Sequence, residues 1–322
     1  MSEAIVITDS RSGSTARVAP ELGFNCFEFH SHVLERVVDV LDSSPRFLEG
    51  RDKPSHHGIP LLFPFPNRIR GGRFTWNGRE YRMTPQQAAF DPTGNAIHGF
   101  CLDRPWRVTE RDENFVTGQF QLSRDASARR ELWPADFLIE VRYEVRAATL
   151  RADVRIANPG DEPLPWGFGT HPYFKVPLGP DSQAGRCLIQ VPASEAWELS
   201  RCLPTGRRMP VPEDKDLRDG EYFGSVRLDD VLTDLEPVGE IVECVIIDEH
   251  EGLQVAQRFP SLFREVVVYT PPERNAVCLE PYTCVTDAVN LDPQGVDAGW
   301  RVLEPGGEFQ MWIEIEAGLV IV

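Results

Sequence analysis

Two stretches near the middle of the chain alternate apolar and charged residues with a period of two. The first runs from Ile139 to Val145 and the second from Leu150 to Ile156. Such alternation is typical of β-strands that bury one face and expose the other. No long helical period interrupts the pattern, and further strands are predicted at 115–122, 187–191, 241–247, 253–259, 265–269 and 309–315.

The first third of the chain gives weaker signals of the same kind. Apolar runs at 4–7 and 24–29 predict edge or capping strands, and 33–40 fits a strand or a short helix, with a strand favoured. Asn77-Gly78 predicts a hairpin that joins 73–76 to 80–83. With 27 prolines and 25 glycines and no strand–helix alternation, the sequence predicts an all-β fold: a large antiparallel β-sandwich, with 1–322 as a single domain.

Composition narrows the functional classes. Of the 322 residues, 41% are hydrophobic and 26% charged, as in soluble globular proteins, and the net charge of −17 argues against nucleic-acid partners. No run approaches the ~20 apolar residues of a membrane span, and no basic start precedes an apolar run, so the cytoplasm is the expected location. Seven cysteines without a C-x-x-C spacing predict reduced, mostly buried thiols rather than disulfides or a zinc site.

The segment from Trp166 to Phe174 combines His171 with a proline, two glycines and several aromatic rings. Gly and Pro predict that it is neither a helix nor a central strand. We expect it to hold the His171 imidazole beside an aromatic wall, which suits a sugar because a pyranose has an apolar C–H face and a rim of hydroxyls. From the residues alone, a satisfied core histidine is about equally favoured.

Four other polar clusters stand out. Asn67 and Arg68 follow three prolines within seven residues, which predicts that they project from a rigid frame. Glu280 follows an apolar run, where a buried carboxylate is costly unless it is paired or functional. His98 and the pair Asp229-Asp230 are weaker. Taken singly, a hydrogen-bonded turn histidine and turn-capping aspartates are favoured, and a surface ion pair is an alternative for Arg68.

Taken in order, these clusters resemble the aldose 1-epimerase (mutarotase) family. The resemblance rests on five motifs: Pro66-Asn67-Arg68-Ile69, His98-Gly99, Gly169-Thr170-His171-Pro172-Tyr173-Phe174, Leu228-Asp229-Asp230-Val231, and Glu280-Pro281-Tyr282 followed by Asp287-Ala288-Val289-Asn290. It implies a galactose mutarotase-like supersandwich, an unusually large β-sandwich. It also implies interconversion of the α and β anomers of a free aldose, without cofactor or metal.

The resemblance also implies roles for the residues of these motifs. Glu280 would be the general base that takes the proton of the C1 hydroxyl, and His171 the general acid that protonates the ring oxygen. His98 would donate a hydrogen bond near both oxygens, while Arg68, Asp229 and Asn67 would bind the sugar. We expect the acid and base on opposite sides of the C1–O5 unit. We also expect apolar surroundings to raise the pKa of Glu280, and the charges of Glu280 and Asp229 to keep His171 protonatable.

The identity of the sugar stays open. Galactose mutarotases usually have a second glycine where this chain has Phe100, and often a histidine in place of Asp230, and both positions are expected at the sugar's edge. One alternative is a hexose-6-phosphate 1-epimerase in which Arg68, Arg70 and Arg73 bind the phosphate. Another is a non-catalytic carbohydrate-binding protein, which the matched acid and base disfavour. A small-molecule aldose is the expected partner, with no nucleic acid or membrane, and the chain is expected to be a monomer or homodimer.

Overall fold

Antiparallel strands form most of the computed structural model, which describes residues 3–272 and 274–320. The strands of the first third are β1 (Ile5–Thr8), β2 (Thr15–Ala19), β3 (Asn25–Val33), β4 (Arg36–Asp39), β5 (Leu61–Leu62), β6 (Arg68–Ile69), β7 (Arg73–Trp76), β8 (Arg79–Arg82) and β9 (Ala96–Ile97). Those of the middle are β10 (Arg107–Arg111), β11 (Phe115–Gln121), β12 (Leu138–Arg146), β13 (Thr149–Ala157), β14 (Leu164–Trp166), β15 (Gly169–Thr170), β16 (Tyr173–Lys175), β17 (Leu188–Gln190), β18 (Ala193–Ser200) and β19 (Leu203–Pro210). The last are β20 (Glu221–Tyr222), β21 (Asp229–Leu235), β22 (Ile241–Asp248), β23 (Leu253–Pro260), β24 (Glu265–Tyr269), β25 (Ala276–Tyr282), β26 (Arg301–Leu303) and β27 (Glu308–Leu319).

Two large sheets organise these strands. One has nine strands in the order β10-β11-β12-β13-β27-β23-β22-β17-β20, and the other has eight, in the order β19-β18-β21-β24-β25-β15-β5 with β16 also paired to β25. Strands β1 to β4 form a separate four-stranded sheet, and three two-stranded ladders complete the architecture. Within the described residues, the α-helices α1 (Leu122–Asp125) and α2 (Ala288–Leu291) have four residues each.

The two large sheets share one hydrophobic core. Val141 and Val154 from the nine-stranded sheet belong to the same buried cluster as Val266 and Leu279 from the eight-stranded sheet. Because side chains alternate along a strand, the residue after Val266 in β24 and the residue after Leu279 in β25 point to the opposite face of the sheet. There a second cluster packs under loops and includes Val267. The eight-stranded sheet is therefore buried on both faces.

The sequence-based strand predictions agree well with this architecture. The all-β sandwich is confirmed, and the ambiguous run at 33–40 is strand, with a turn between β3 and β4. The hairpin at Asn77-Gly78 joins β7 to β8, and both turn residues have the positive φ (47° and 77°) that a tight hairpin turn demands. The early runs form their own sheet, in which β1 and β4 are the edge strands, and its residues Ile7 and Val38 belong to the shared core.

One prediction about the segment from Trp166 to Phe174 is wrong. It contains no helix, as expected, but β15 pairs with β25 on one side and with β5 on the other, so a two-residue strand lies inside the eight-stranded sheet. Gly169 permits this position because its partner across the pair is the large ring of Tyr282.

The thiols follow the sequence prediction: all seven cysteines are free, and six of them are buried. Among the residues that the structure describes, we find no helix that is both long and apolar enough to cross a membrane.

Candidate active site

The candidate residues meet on the face of the eight-stranded sheet that points away from the shared core. Strand register places Asp229, Tyr269 and Cys278 in one row across β21, β24 and β25. Glu280 lies two residues further along β25, on the same face. This face carries both the candidate base and one of the candidate sugar-binding residues.

Glu280 and His171 are buried neighbours. The Oε1 atom of Glu280 lies 3.4 Å from Nε2 of His171, and the two side chains are 2% and 9% exposed. The second carboxylate oxygen, Oε2, accepts a hydrogen bond from the hydroxyl of Tyr282. The two groups therefore lie side by side, and their expected placement on opposite sides of the C1–O5 unit stays a prediction.

His171 is clamped between aromatic rings. Its imidazole stacks on Tyr173 with centroids 4.8 Å apart and planes within 4°, and Tyr269 meets it edge-on at 6.3 Å. Arg274 covers the same Tyr173 ring, with its guanidinium carbon 4.6 Å from the centroid. The aromatic wall predicted beside the histidine is thus Tyr173 and Tyr269, whereas Trp166 and Phe168 belong to the core.

His98 completes an imidazole pair. Its ring lies edge-on to that of His171, with centroids 5.5 Å apart. The Nδ1 atoms of both rings are buried and have no hydrogen-bond partner within the described part of the chain. Buried polar atoms are nearly always paired, so these two unpaired nitrogens argue against a satisfied core histidine.

Arg68 is held by two neighbours. Its Nε donates to Oδ2 of Asp91 over 2.6 Å, and Nη1 donates to Oδ1 of Asn67 over 2.8 Å. Asn67 is 6% exposed and therefore does not project, contrary to the prediction. Its side-chain oxygen orients Arg68, and its backbone oxygen accepts the amide of His98 over 2.8 Å.

The structure distinguishes the two aspartates of the fourth motif. Asp230 binds Lys215 through both carboxylate oxygens, at 2.8 and 3.0 Å. Asp229 is exposed, has Cys202 Sγ at 3.9 Å, and acts electrostatically on both Arg68 and Glu280. Asp229 therefore shares the face of the sheet that carries Glu280, whereas Asp230 is engaged by Lys215.

Burial dominates the electrostatics of the acid–base pair. It raises the pKa of Glu280 well above its usual range; the hydrogen bond from Tyr282 opposes this shift, and the charge of Asp229 adds to it. Burial also lowers the pKa of His171 well below its usual range, helped by His98. The first shift agrees with the sequence-based hypothesis. The second contradicts it, because desolvation and the imidazole of His98 outweigh the nearby carboxylates.

His98 is neutral for the same reason. Burial lowers its pKa to about 3, and the positive charge of Arg68 acts in the same direction. In the neutral ring one nitrogen donates and the other accepts, so His98 can donate a single hydrogen bond to a ligand without carrying charge.

Backbone geometry fixes the loops that carry these side chains. Asn67 and His98 both have positive φ, 54° and 64°, which is rare for residues other than glycine and is found where surrounding structure enforces it. Gly99 follows at φ 72°, and a Cβ there would lie 2.1 Å from the carbonyl oxygen of Phe63. The His98-Gly99 motif therefore reflects close packing of two loops.

Asp287, in the last motif, braces the Arg68 loop. Its backbone amide donates to the carbonyl oxygen of Arg68 over 2.9 Å, and its Oδ1 accepts the amide of Arg70 over 3.0 Å. Asn290 of the same motif donates to Oδ1 of Asp287 and to the carbonyl oxygen of Arg73. This motif supports the site without lining it.

Phe100 does not lie at the sugar's edge, contrary to the prediction. It is fully buried and packs edge-on against Phe65 and Trp133. The sequence also left three site residues without a role: Asp91, Tyr269 and Tyr282. Only Tyr282 carried a local signal, since it stands two residues after Glu280 and a strand places such residues on one face.

Three donor atoms of the site could hold a metal ion. The ligand atoms of His171, Cys278 and Glu280 all lie within 4.8 Å of one another. Burial raises the pKa of the Cys278 thiol well above its usual range, however, so Cys278 does not supply the thiolate that a zinc-like ion requires. Such an ion would occupy the same lone pairs that acid–base chemistry requires.

Comparisons with known proteins agree with the motifs. The family model described as aldose 1-epimerase matches residues 28–316. The chain is 24% identical to the uncharacterized protein YihR of Escherichia coli K12 over 266 residues, which cover 82% of this chain and 80% of that protein. The uncharacterized protein YphB of the same organism is 29% identical over 136 residues, covering 42% and 41% of the two chains.

Solved structures share the fold. A galactose mutarotase-like protein from Clostridium acetobutylicum superposes with a TM-score of 0.83 at 22% identity, covering 96% of this chain and 93% of that one. The GalM/aldose epimerase homologue from C. elegans superposes with a TM-score of 0.81 at 19% identity over 100% of both chains.

Proposed function

Because the chain belongs to the aldose 1-epimerase family, we propose that it interconverts the α and β anomers of a free aldose by acid–base ring opening and reclosure. The observation that carries this proposal is the buried pair of Glu280 Oε1 and His171 Nε2, 3.4 Å apart. A hemiacetal opens when its C1 hydroxyl loses a proton and its ring oxygen gains one. These two oxygens are bonded to the same carbon, so an acid and a base that lie side by side can each reach one.

In the proposed cycle, Glu280 takes the proton of the C1 hydroxyl while His171 protonates the ring oxygen. The ring opens, rotation about C1–C2 presents the other face of the aldehyde, and reclosure reverses both transfers. His98 donates a hydrogen bond near these oxygens, and Arg68 and Asp229 bind hydroxyls. Tyr269, which is partly exposed between Asp229 and Cys278, offers a ring to the apolar face of the sugar.

The pair holds the single proton that this cycle needs. The pKa shifts place it on Glu280, and its transfer from Oε1 to Nε2 of His171, 3.4 Å away, forms the carboxylate and the imidazolium that start the cycle. Glu280 and His171 together carry one proton whether they form a neutral acid and imidazole or a carboxylate and imidazolium. The opposite shifts of their pKa values widen the pH range in which that single proton is present. Each positioned acid or base contributes ~10²–10⁴-fold to such reactions, so the pair can act without a cofactor.

The contacts favour a free aldose over a hexose 6-phosphate. Arg68 already pairs with Asp91 at 2.6 Å, and Arg70 lies 3.4 Å from Asp287. A guanidinium group that already pairs with a carboxylate binds a phosphate dianion weakly, because its charge is neutralised and the carboxylate repels the phosphate. The buried pair of Glu280 and His171 in turn favours catalysis over binding alone, because pure binding gains little from burying a matched acid and base.

The test is a mutarotation assay. Freshly dissolved α-glucose, α-galactose and glucose 6-phosphate are each followed by NMR to anomeric equilibrium, with and without the protein. We expect acceleration with a free aldose, and a decrease of ~10²–10⁴-fold in Glu280→Gln and in His171→Asn.

Control variants separate chemistry from folding. Glu240→Gln and His30→Asn make the same chemical changes at an exposed and a partly buried position away from the site, and should retain the wild-type rate. Acceleration confined to the 6-phosphate would favour the alternative epimerase, and binding without acceleration a carbohydrate-binding protein. No effect on any aldose would refute the proposal.

A further inference from the structure

Tyr282 contacts the candidate base directly but has no part in the proposed proton transfers. Its side chain is fully buried, and its hydroxyl donates to Oε2 of Glu280. Within the described residues, Oε2 of Glu280 accepts its hydrogen bond from Tyr282, whereas Oε1 faces Nε2 of His171. The two carboxylate oxygens therefore have different environments.

The sheet is built to accommodate the ring of Tyr282. Tyr282 pairs with Glu265 on one side and with Gly169 on the other. A Cβ on Gly169 would lie 2.2 Å from the Cδ1 atom of Tyr282, so the ring occupies the space that a side chain at 169 would need. The backbone oxygen of Tyr282 accepts a hydrogen bond from the amide of Arg264 over 2.9 Å. Tyr282 is thus held from its backbone to its ring.

We propose that Tyr282 is a positioning residue, whose hydroxyl holds Oε2 of Glu280 and so presents Oε1 to His171 and to the substrate. This inference rests on the role proposed above for Glu280. A carboxylate on a flexible side chain can rotate, and each wrong orientation lowers the fraction of productive complexes. A phenol donor fixes the orientation and also stabilises the ionised form of the carboxylate.

The phenol group balances the effect of burial. Burial alone favours the protonated acid, and a base that stays protonated cannot accept the proton of a C1 hydroxyl. The hydrogen bond from Tyr282 lowers the pKa of Glu280 against that tendency. Removing the hydroxyl should therefore raise the pKa of Glu280 further.

The test is Tyr282→Phe, which removes the hydroxyl and keeps the ring beside Gly169. We expect kcat to fall roughly tenfold with little change in KM, because the lost bond to a charged group acts on the base and not on sugar binding. The alkaline limb of the rate profile, where the pair loses its last proton, should move to higher pH. Tyr143→Phe is the matched control, since Tyr143 is equally buried and its hydroxyl has no partner in the part of the chain described.

A second readout does not depend on activity. Selective ¹³C labelling of glutamate, with the Glu280 resonance assigned through Glu280→Gln, gives the titration midpoint of Glu280 by NMR. The midpoint should be higher in Tyr282→Phe than in wild type and unchanged in Tyr143→Phe. An unchanged midpoint in Tyr282→Phe would overturn this inference, whereas a wild-type protein without mutarotase activity would overturn only the proposed function.

Discussion

Asp91 holds the guanidinium of Arg68 in place, with Nε and Oδ2 2.6 Å apart and only 4% of the Asp91 side chain exposed. Thr93 and Asn95 donate to the same carboxylate. Burial alone would raise the pKa of Asp91, but the amide of Asn95 and the Arg68 side chain outweigh it and lower the pKa to about 2. The carboxylate is therefore ionised at neutral pH. Thr93 and Asn95 fix its position, and it in turn fixes the position of the Arg68 guanidinium.

Replacing Asp91 with Asn should weaken substrate binding more than the chemical step. The amide keeps the size of the carboxylate but loses its charge, so it holds Arg68, the proposed sugar-binding residue, less firmly. We expect KM to rise roughly tenfold with a smaller change in kcat, from the loss of one charge-assisted hydrogen bond. Steady-state mutarotation kinetics test this. Asp125→Asn breaks a comparable contact with Arg107 (3.1 Å) away from the site and should leave KM unchanged; equal effects in both variants would contradict the role of Asp91.

Removing the ring of Tyr173 should slow the reaction through His171. Tyr173→Leu deletes the face on which the imidazole stacks, and aromatic pairs contribute about 0.5–1.5 kcal/mol, so kcat should fall roughly fivefold. Tyr173→Phe keeps the ring and should retain most of the rate. Tyr81→Leu deletes a similar stack on Phe74, with centroids 5.0 Å apart, and serves as the control for general loss of packing. A rate unchanged in Tyr173→Leu would show that the stack does not position His171.

The pH–rate profile should have an unusually wide plateau. The active pair carries one proton; acid adds a second, and base removes the last. Because the pKa of His171 is lowered, the acid limb should lie well below the ordinary histidine value. Because the pKa of Glu280 is raised, the alkaline limb should lie well above the ordinary carboxyl value. Mutarotation rates corrected for the buffer reaction at each pH test this, and an acid limb near the ordinary histidine value or an alkaline limb near the ordinary carboxyl value would contradict it.

The sequence was sufficient for the fold because strand alternation is local information. Ile139 to Val145 and Leu150 to Ile156 specify their own buried faces, and Asn77-Gly78 specifies its own turn. The positions of the site residues depend instead on register between distant strands. Asp229, Tyr269 and Cys278 form one row only after three strands pair, so Tyr269 carried no signal in the sequence.

The missed role of Asp91 and the misplaced Phe100 have a common cause. Asp91 stands in a polar loop, where a carboxylate that holds an arginine looks like any turn residue. Phe100 follows His98 closely, but the positive φ of Gly99 turns the chain, and Phe100 enters the core. Short motifs identify which residues meet, while backbone direction after a turn decides which neighbours face the ligand.

Adding one methyl group at Gly169 should disturb both stability and activity. The new Cβ would lie 2.2 Å from the ring of Tyr282, so the ring or the strand must shift. We expect Gly169→Ala to lower the free energy of unfolding by about 1–3 kcal/mol, as overpacking does, and to lower kcat because Tyr282 contacts Glu280. Chemical denaturation and mutarotation assays measure both effects. At Gly318 a Cβ would meet nothing within 4 Å, and Gly318→Ala should change neither; equal stability of the two variants would refute the steric argument.

Glu265 should make the protein less stable as pH rises from the acidic range to neutrality. It is fully buried, Oε2 accepts the indole N–H of Trp197 over 2.9 Å, and Oε1 has no partner in the described part of the chain. Burial raises its pKa from 4.5 to about 7, although the nearby hydroxyl of Thr233 and the hydrogen bond from Trp197 oppose the shift. The folded state therefore binds the proton more tightly than the unfolded chain, so the free energy of unfolding falls as pH rises from about 4.5 to 7, by about 3 kcal/mol.

Glu265→Gln should remove this part of the pH dependence, since the amide is neutral throughout and can still accept from Trp197. Urea unfolding at pH 4.5 and at pH 8 measures the difference in stability between variant and wild type. That difference should shift in favour of the variant by about 3 kcal/mol between the two pH values. Glu240→Gln, at an exposed position, should leave the dependence as it is in wild type. If the stability of Glu265→Gln follows that of wild type at both pH values, Glu265 is not the group whose protonation the fold favours.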